Sequence, residues 1–168
     1  ELKLEDDQFP HERLDEIGYG AACHGQKSWN GVAVLYRTGL DVDVVERGLP
    51  GQEALGARLI TARVGPFLFT TVYCPNGKHV GHSDFPRKLA WFDVLADHLV
   101  SAHRPDEEHV VCGDFNICPA PIDSWNEEQL AGRIFHTAEE RARIDRLFDW
   151  GLRDLFRELN PDVQAFSW

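Results

Sequence analysis

The chain has 168 residues, 43% of them hydrophobic and 27% charged, with 10 Phe and 5 Trp. That composition supplies a sizeable core for one domain and excludes disorder as the main state. Its 28 Asp and Glu against 17 Lys and Arg give a formal net charge of −11, which excludes holding a polyanion by bulk positive charge, because such binding draws on many Lys and Arg contacts. Local contact with phosphate stays open, since carboxylates gathered around a divalent cation lower the formal charge while serving a phosphate group. There is no methionine, so we expect the sequence not to begin where its gene begins and to be a processed product or a piece of a larger protein. Cys23, Cys74, Cys112 and Cys118 lack C-x-x-C spacing, which argues against a zinc ribbon or a thioredoxin-like site. They read as free thiols in a reducing cytoplasm. No apolar run approaches the roughly 18 residues of a membrane span.

In chain order, Pro10 and the stretch 11–17 predict a short helix with Leu14 and Ile17 on one face, ended by Gly18 and Gly20. Residues 32–36 are a continuous apolar run, the signature of a strand covered on both faces. Residues 37–51 read as a loop with a polar, alternating middle. Residues 57–64 and 67–73 predict two strands joined in a hairpin at Gly65-Pro66. The clearest helix follows Ser83, a candidate N-cap, with Phe85, Leu89, Phe92, Leu95 and Leu99 as its apolar stripe. Residues 109–113 predict a short buried strand. Thr137 opens a second long helix, with Glu140 in capping-box spacing and Ile144, Leu147 and Phe148 on its apolar face. Trp150-Gly151 closes it, and residues 154–159 add a turn or two before Asn160-Pro161. Strands in groups with helices between the groups suit an α/β architecture, two sheets packed face to face with helices outside.

Three stretches can carry chemistry. Gly113-Asp114-Phe115-Asn116 follows an apolar strand, and a carboxylate and an amide two apart at a strand's C-terminal end can face one crevice. The Asp can take a proton from water or approach a metal ion, and the Asn can donate to a phosphate oxygen. An Asx-turn accounts for the same residues locally. Tyr73 in V-Y-C-P-N-G (72–77) ends another strand, where its hydroxyl either enters a cleft or covers the sheet end. Gln26 and Lys27 lie in a loop before a strand, where a basic loop meets phosphate or is simply solvated. A further stretch, with Lys78, His79, His82, Arg87 and Lys88, is the most basic, and reads as a phosphate-facing edge or a solvated helix start.

Taken in order, H-G-Q-K-S-W-N-G-V-A-V-L (24–35), V-Y-C-P-N-G, F-P-R-K-L-A-W-F (85–92), G-D-F-N-I-C-P (113–119), R-I-D-R-L-F-D-W-G-L-R-D-L-F-R (143–157) and the final N-P…F-S-W resemble the bacterial exonuclease III family. This is the class II apurinic/apyrimidinic endonuclease branch of the endonuclease/exonuclease/phosphatase superfamily. The resemblance runs from residue 1 to 168. G-D-F-N is shared across the superfamily, whereas G-Q-K, W-G-L-x-D and F-S-W are specific to this branch.

The resemblance implies a two-sheet α/β sandwich, truncated at both termini, forming a single domain over 1–168 without its N-terminal strand and C-terminal segment. It implies that Glu1 is the metal-ligating glutamate, a carboxylate of the kind Mg²⁺ prefers, with Mn²⁺ as the alternative ion. Tyr73 resembles the tyrosine that contacts the scissile phosphate, Asp114 the aspartate that orients or deprotonates the attacking water, and Asn116 the asparagine that holds the phosphate and metal region. Trp168 resembles the aromatic that lines the pocket for a base-free sugar, and Gln26 and Lys27 fall in the substrate-binding loop. The expected activity is metal-dependent hydrolysis of double-stranded DNA, 5′ to abasic sites and at 3′ ends, by a cytoplasmic monomer. The family's N-x-N and S-D-H-x-P segments are missing, so the 168 residues alone are expected to be weak or inactive. Asp97-His98 has the letters of the missing pair but falls inside the long helix. The other readings are a phosphatase of the same superfamily acting on inositol phosphates or lipids, and a catalytically incomplete structural fragment.

Overall fold

Leu59, Ile60, Thr61 and Ala62 are buried on both faces of their strand, and one half of the protein is built around them. The computed structural model describes residues 1–166. Contacts divide the chain into two units, Glu1–Cys74 with Glu107–Phe115, and Pro75–Asp106 with the chain from Asn116 onward.

In the first unit, β1 (Tyr19–His24) pairs antiparallel with β2 (Val32–Arg37) in a two-stranded sheet. A second sheet has the order β3 (Val42–Arg47), β4 (Leu59–Val64), β5 (Phe67–Tyr73), β6 (His109–Asp114). Its first three strands run antiparallel, and β6 lies parallel to β5. A parallel neighbour requires a long crossover, supplied by the stretch 75–106. Ala22 and Val32 of the small sheet meet Ile60 and Ala62 of the large one, with Val34, Tyr36, Val42, Val44 and Tyr73 packed around them. This is the expected α/β sandwich, with a mixed second sheet. Each large apolar side chain fully buried there contributes about 1.5–3 kcal/mol.

The hairpin turns at Gly65, whose φ of +58° suits glycine, and pairs Val64 with Phe67. A polar line crosses three strands inside the sheet: Thr61 Oγ1 lies 2.7 Å from Thr70 Oγ1, which lies 2.8 Å from His109 Nε2.

Four expectations are corrected here. The run 32–36 is not covered on both faces: Leu35 is exposed while Val32 is buried, and β4 has the doubly covered stretch instead. Residues 42–47 form β3, not a loop, because their alternation puts every second side chain inward. The strand 109–113 runs to Asp114 and is not fully buried, since Val110 and Cys112 are exposed. The helix α1 (His11–Asp15) is present, but Gly20 belongs to β1 rather than to the helix end, and Ile17 is exposed.

The second unit is helical. The long helix α2 (Asp84–Ala102) buries Phe85, Lys88, Trp91, Phe92, Leu95, Ala96 and Leu99. Ser83 stands at its N-cap position in a helical conformation and makes no side-chain cap. After α3 (Glu127–Leu130) comes α4 (Ala138–Trp150), opened by the expected Thr137–Glu140 capping box. Ile144 and Leu147 are buried, whereas Phe148 is 37% exposed. Gly151 closes α4 at φ +135°. Arg143 pairs with Asp93 at 3.2 Å and Arg146 with Asp97 at 2.5 Å, tying α4 to α2. Asp97 is therefore a surface ion-pair partner within a helix. The last helix, α5 (Leu155–Leu159), is capped by Asp154, which accepts from Arg157 N–H. Among the described residues, no helix is long and apolar enough to cross a membrane.

Candidate active site

In the first unit, Tyr73 and Asp114 end the neighbouring parallel strands β5 and β6 in direct register. The N–H of Cys74 donates to the Asp114 carbonyl at 2.8 Å, so the pairing continues one residue past Tyr73. The glycine before Asp114 is dictated by this closeness. A Cβ on Gly113 would lie 2.0 Å from the Val72 carbonyl oxygen, and its φ is +129°. Both side chains are half-buried at the strand ends.

Arg58, just before β4, holds Tyr73 from the other side. Its Nη1 donates to the Tyr73 carbonyl at 2.9 Å, its Nε to Leu55 O at 2.8 Å, and its guanidinium lies 5.2 Å from the Tyr73 ring centre. Burial lowers the Arg58 pKa from its ordinary value, opposed by Tyr73, Cys74 and Glu1. Burial likewise raises the Tyr73 phenol, helped by the charges of Glu1 and Asp114 and opposed by Arg58. Tyr73 is thus a neutral hydroxyl donor at physiological pH. Glu1 is exposed, and the chain there is anchored by Leu2, whose N–H donates to Gly31 O at 2.6 Å. The charges of Glu1 and Asp114 therefore both act on Tyr73 within this unit.

The loop between β1 and β2 is built rather than loose. Asp6 Oδ1 accepts from Gly25 N–H at 2.6 Å, and Gln26 Oε1 accepts from Ala57 N–H at 2.7 Å. Gln26 thereby joins this loop to the segment before β4, and Lys27 and Trp29 stand exposed on it. Lys3 caps the Trp29 ring at 4.2 Å.

In the second unit, Asn116 is buried with φ +50°. Its Oδ1 accepts from Asn76 Nδ2 at 3.2 Å, and its carbonyl accepts from Lys88 Nζ at 2.5 Å. With Oδ1 turned to Asn76, Nδ2 is the donor end of the amide. The basic stretch is largely neutralised locally: Lys78 and Arg87 pair with Asp84 at 2.8 and 3.3 Å, and the Lys78 hydrogen bond lowers the Asp84 pKa. Lys88 is not on the surface at all. Trp168 lies outside the described residues.

Sequence reasoning did not single out Arg58 or Asn76, and it placed Lys88 in a basic surface stretch, whereas the side chain is buried. Asn76 had a signal, its place in V-Y-C-P-N-G beside Tyr73. Arg58 and Lys88 had none, since their partners are remote in sequence.

The model of the Endonuclease/Exonuclease/phosphatase family matches residues 1–160. The chain belongs to this family. It is 34% identical to the exodeoxyribonuclease III of Haemophilus influenzae, over the whole chain and 67% of that protein. Among solved structures it is similar to an AP endonuclease from Archaeoglobus fulgidus, with a TM-score of 0.91, 26% identity, and coverage of 99% of this chain and 64% of that one. It is also similar to the 3′ phosphatase NExo from Neisseria bound to a product DNA hairpin, with a TM-score of 0.85, 33% identity, and coverage of 95% and 62%. The chain thus spans about two thirds of the length of these relatives.

Proposed function

We propose that the protein carrying this chain is a DNA-repair phosphodiesterase, cutting 5′ to abasic sites and trimming 3′ ends by metal-dependent hydrolysis. The observation that carries the reading is the side-by-side placement of Tyr73 and Asp114 in register at the ends of β5 and β6, with the Glu1 charge acting on Tyr73. The similarity to an AP endonuclease and to a 3′ phosphatase bound to DNA supports the same substrate class. A monomer working in the cytoplasm on double-stranded DNA is the proposed assembly, with residues 1–168 lying in one domain.

Tyr73, kept protonated, donates its hydroxyl hydrogen to a phosphate oxygen. Asp114 orients the attacking water and draws its proton. Asn116 offers Nδ2 to the phosphate, a fixed amide donor that needs no reorganisation as charge develops. Lys27 meets the DNA backbone from the loop that Gln26 secures. Trp168 packs on the extruded sugar, which leaves the helix more readily when it lacks a base. Glu1 and Asp114 present carboxylate oxygens, the hard donors that Mg²⁺ and Mn²⁺ take, so the residues fit a divalent ion and Glu1 would hold it. When bound, the ion supplies charge that stabilises the phosphate oxygens.

The test is nicking of an abasic duplex with Mg²⁺ by the full-length protein. Asp114→Ala should slow it by about 10²–10⁴-fold, the usual worth of a positioned base. An unchanged rate removes Asp114 from the mechanism. Turnover of an inositol phosphate by the same preparation, faster than that of abasic DNA, would favour the phosphatase reading instead.

A further inference from the structure

Lys88 and Glu140 are both 0% exposed and form an ion pair within the second unit. Buried ion pairs seldom stabilise a fold better than apolar residues of the same volume. The pair invites a role other than stability, and its contacts suggest one. The Lys88 ammonium also donates to the Asn116 carbonyl at 2.5 Å and lies 4.7 Å from the Phe135 ring centre. Glu140 is fixed in turn, because its other oxygen accepts from Thr137 N–H at 3.1 Å and Thr137 Oγ1 at 2.8 Å.

Asn116 receives such a hold. Its φ of +50° is a left-handed conformation that asparagine tolerates better than most non-glycine residues, and its carbonyl is bound by the Lys88 ammonium. The bond to its carbonyl fixes the peptide plane beside it, and so the direction from which its side chain leaves the backbone. The Lys88 stem also lies against the loop of the second amide. A Cβ on Gly77, next to Asn76, would come within 2.9 Å of Lys88 Cδ. One buried side chain therefore touches both segments that bring the Asn76 and Asn116 amides together.

We infer that Lys88 is a positioning residue: clamped by Glu140, it holds the Asn76–Asn116 amide pair in the orientation that serves the phosphate. The inference rests on the proposed role of Asn116, and the experiment separates the two. Three measurements are made on the full-length protein with abasic duplex: Asn116→Ala, the charge-free pair Lys88→Met/Glu140→Gln, and their combination.

The charge-free pair should lower kcat by about 10-fold or more with KM for DNA changed by less than about 3-fold, the pattern of an interaction lost mainly in the transition state. In the Asn116→Ala background it should cost nothing further, because residues that act through one another are non-additive. Full additivity, or an unchanged kcat, overturns the inference while leaving Asn116 in place. An Asn116→Ala enzyme as fast as the parent overturns the functional reading beneath it. If the charge-free pair does not fold, Glu140→Asp decides. It keeps both charges but retracts the clamp, and should lower kcat by about 3-fold or more, again without further cost in the Asn116→Ala background. An unchanged kcat in that variant sinks the inference.

Discussion

Arg58 and Tyr73 are bound twice over: the Arg58 carbonyl accepts from Tyr73 N–H at 2.8 Å, and the Arg58 guanidinium returns to the Tyr73 carbonyl at 2.9 Å. The same guanidinium covers the phenol ring. Arg58→Met keeps the stem and removes the fork. It should cost about 2 kcal/mol, the scale of charge-assisted hydrogen bonds lost from a part-buried site. Urea unfolding measures this, and a midpoint equal to that of the parent would show that the fork bears no load.

The Tyr73 hydroxyl has a pKa above the ordinary tyrosine value of about 10. Its proton is therefore held more tightly in the folded state than in the unfolded chain. The stability this contributes is complete below about pH 10 and is lost as pH rises through the raised folded value. Absorbance at 295 nm, compared between the parent and Tyr73→Phe, should show one tyrosine ionising late. Tyr73→Phe should slow nicking by about 10²-fold, as removal of one preorganised donor does, with no activity loss traceable to Tyr73 ionisation below pH 10 in the parent. A tyrosine that titrates early at this position would contradict the argument.

Gly113→Ala is expected to be severe. The new methyl would collide with the Val72 carbonyl at a parallel pairing, where neither backbone can retreat. A loss of about 3 kcal/mol or more follows from strain of this kind. Thermal unfolding checks it, and a Tm within a degree of the parent would mean that the strands do not sit as described.

Lys88→Met alone leaves the Glu140 carboxylate buried beside no cation. That should destabilise by about 3–5 kcal/mol, whereas Lys88→Met/Glu140→Gln should lose much less, because no uncompensated charge remains. Denaturant curves for the two variants give the comparison. Equal losses would mean that the damage comes from the Lys88 stem and not from the charge.

Much of this architecture was legible because it is local. Gly65-Pro66 marks its hairpin, and Thr137 with Glu140 marks the start of α4, each through residues within four positions of one another. β1 escaped notice because it is made of small residues, Gly20-Ala21-Ala22, with little strand signal. The reason is spatial: a Cβ on Gly20 would lie 2.5 Å from the Tyr36 ring on the paired strand. β3 was hidden by its charged outward positions. In the site, motif residues such as Tyr73 and Asp114 could be assigned a role, whereas Lys88 was read as part of a surface stretch. A lysine on an amphipathic helix reads as solvated, and the Glu140 that makes it a core residue stands 52 positions away.

The polar line of Thr61, Thr70 and His109 has a consequence for the site several residues along the same strands. A strand that slid by one position would turn Thr70 to the opposite face and strand both of its neighbours. The line therefore works as an alignment key, admitting one setting of β5 against β6 and rejecting those beside it. Because Tyr73 and Asp114 lie on those two strands, whatever fixes the key also fixes which tyrosine stands opposite which carboxylate. The accuracy of the reacting end is secured in the interior of the sheet, where no substrate reaches.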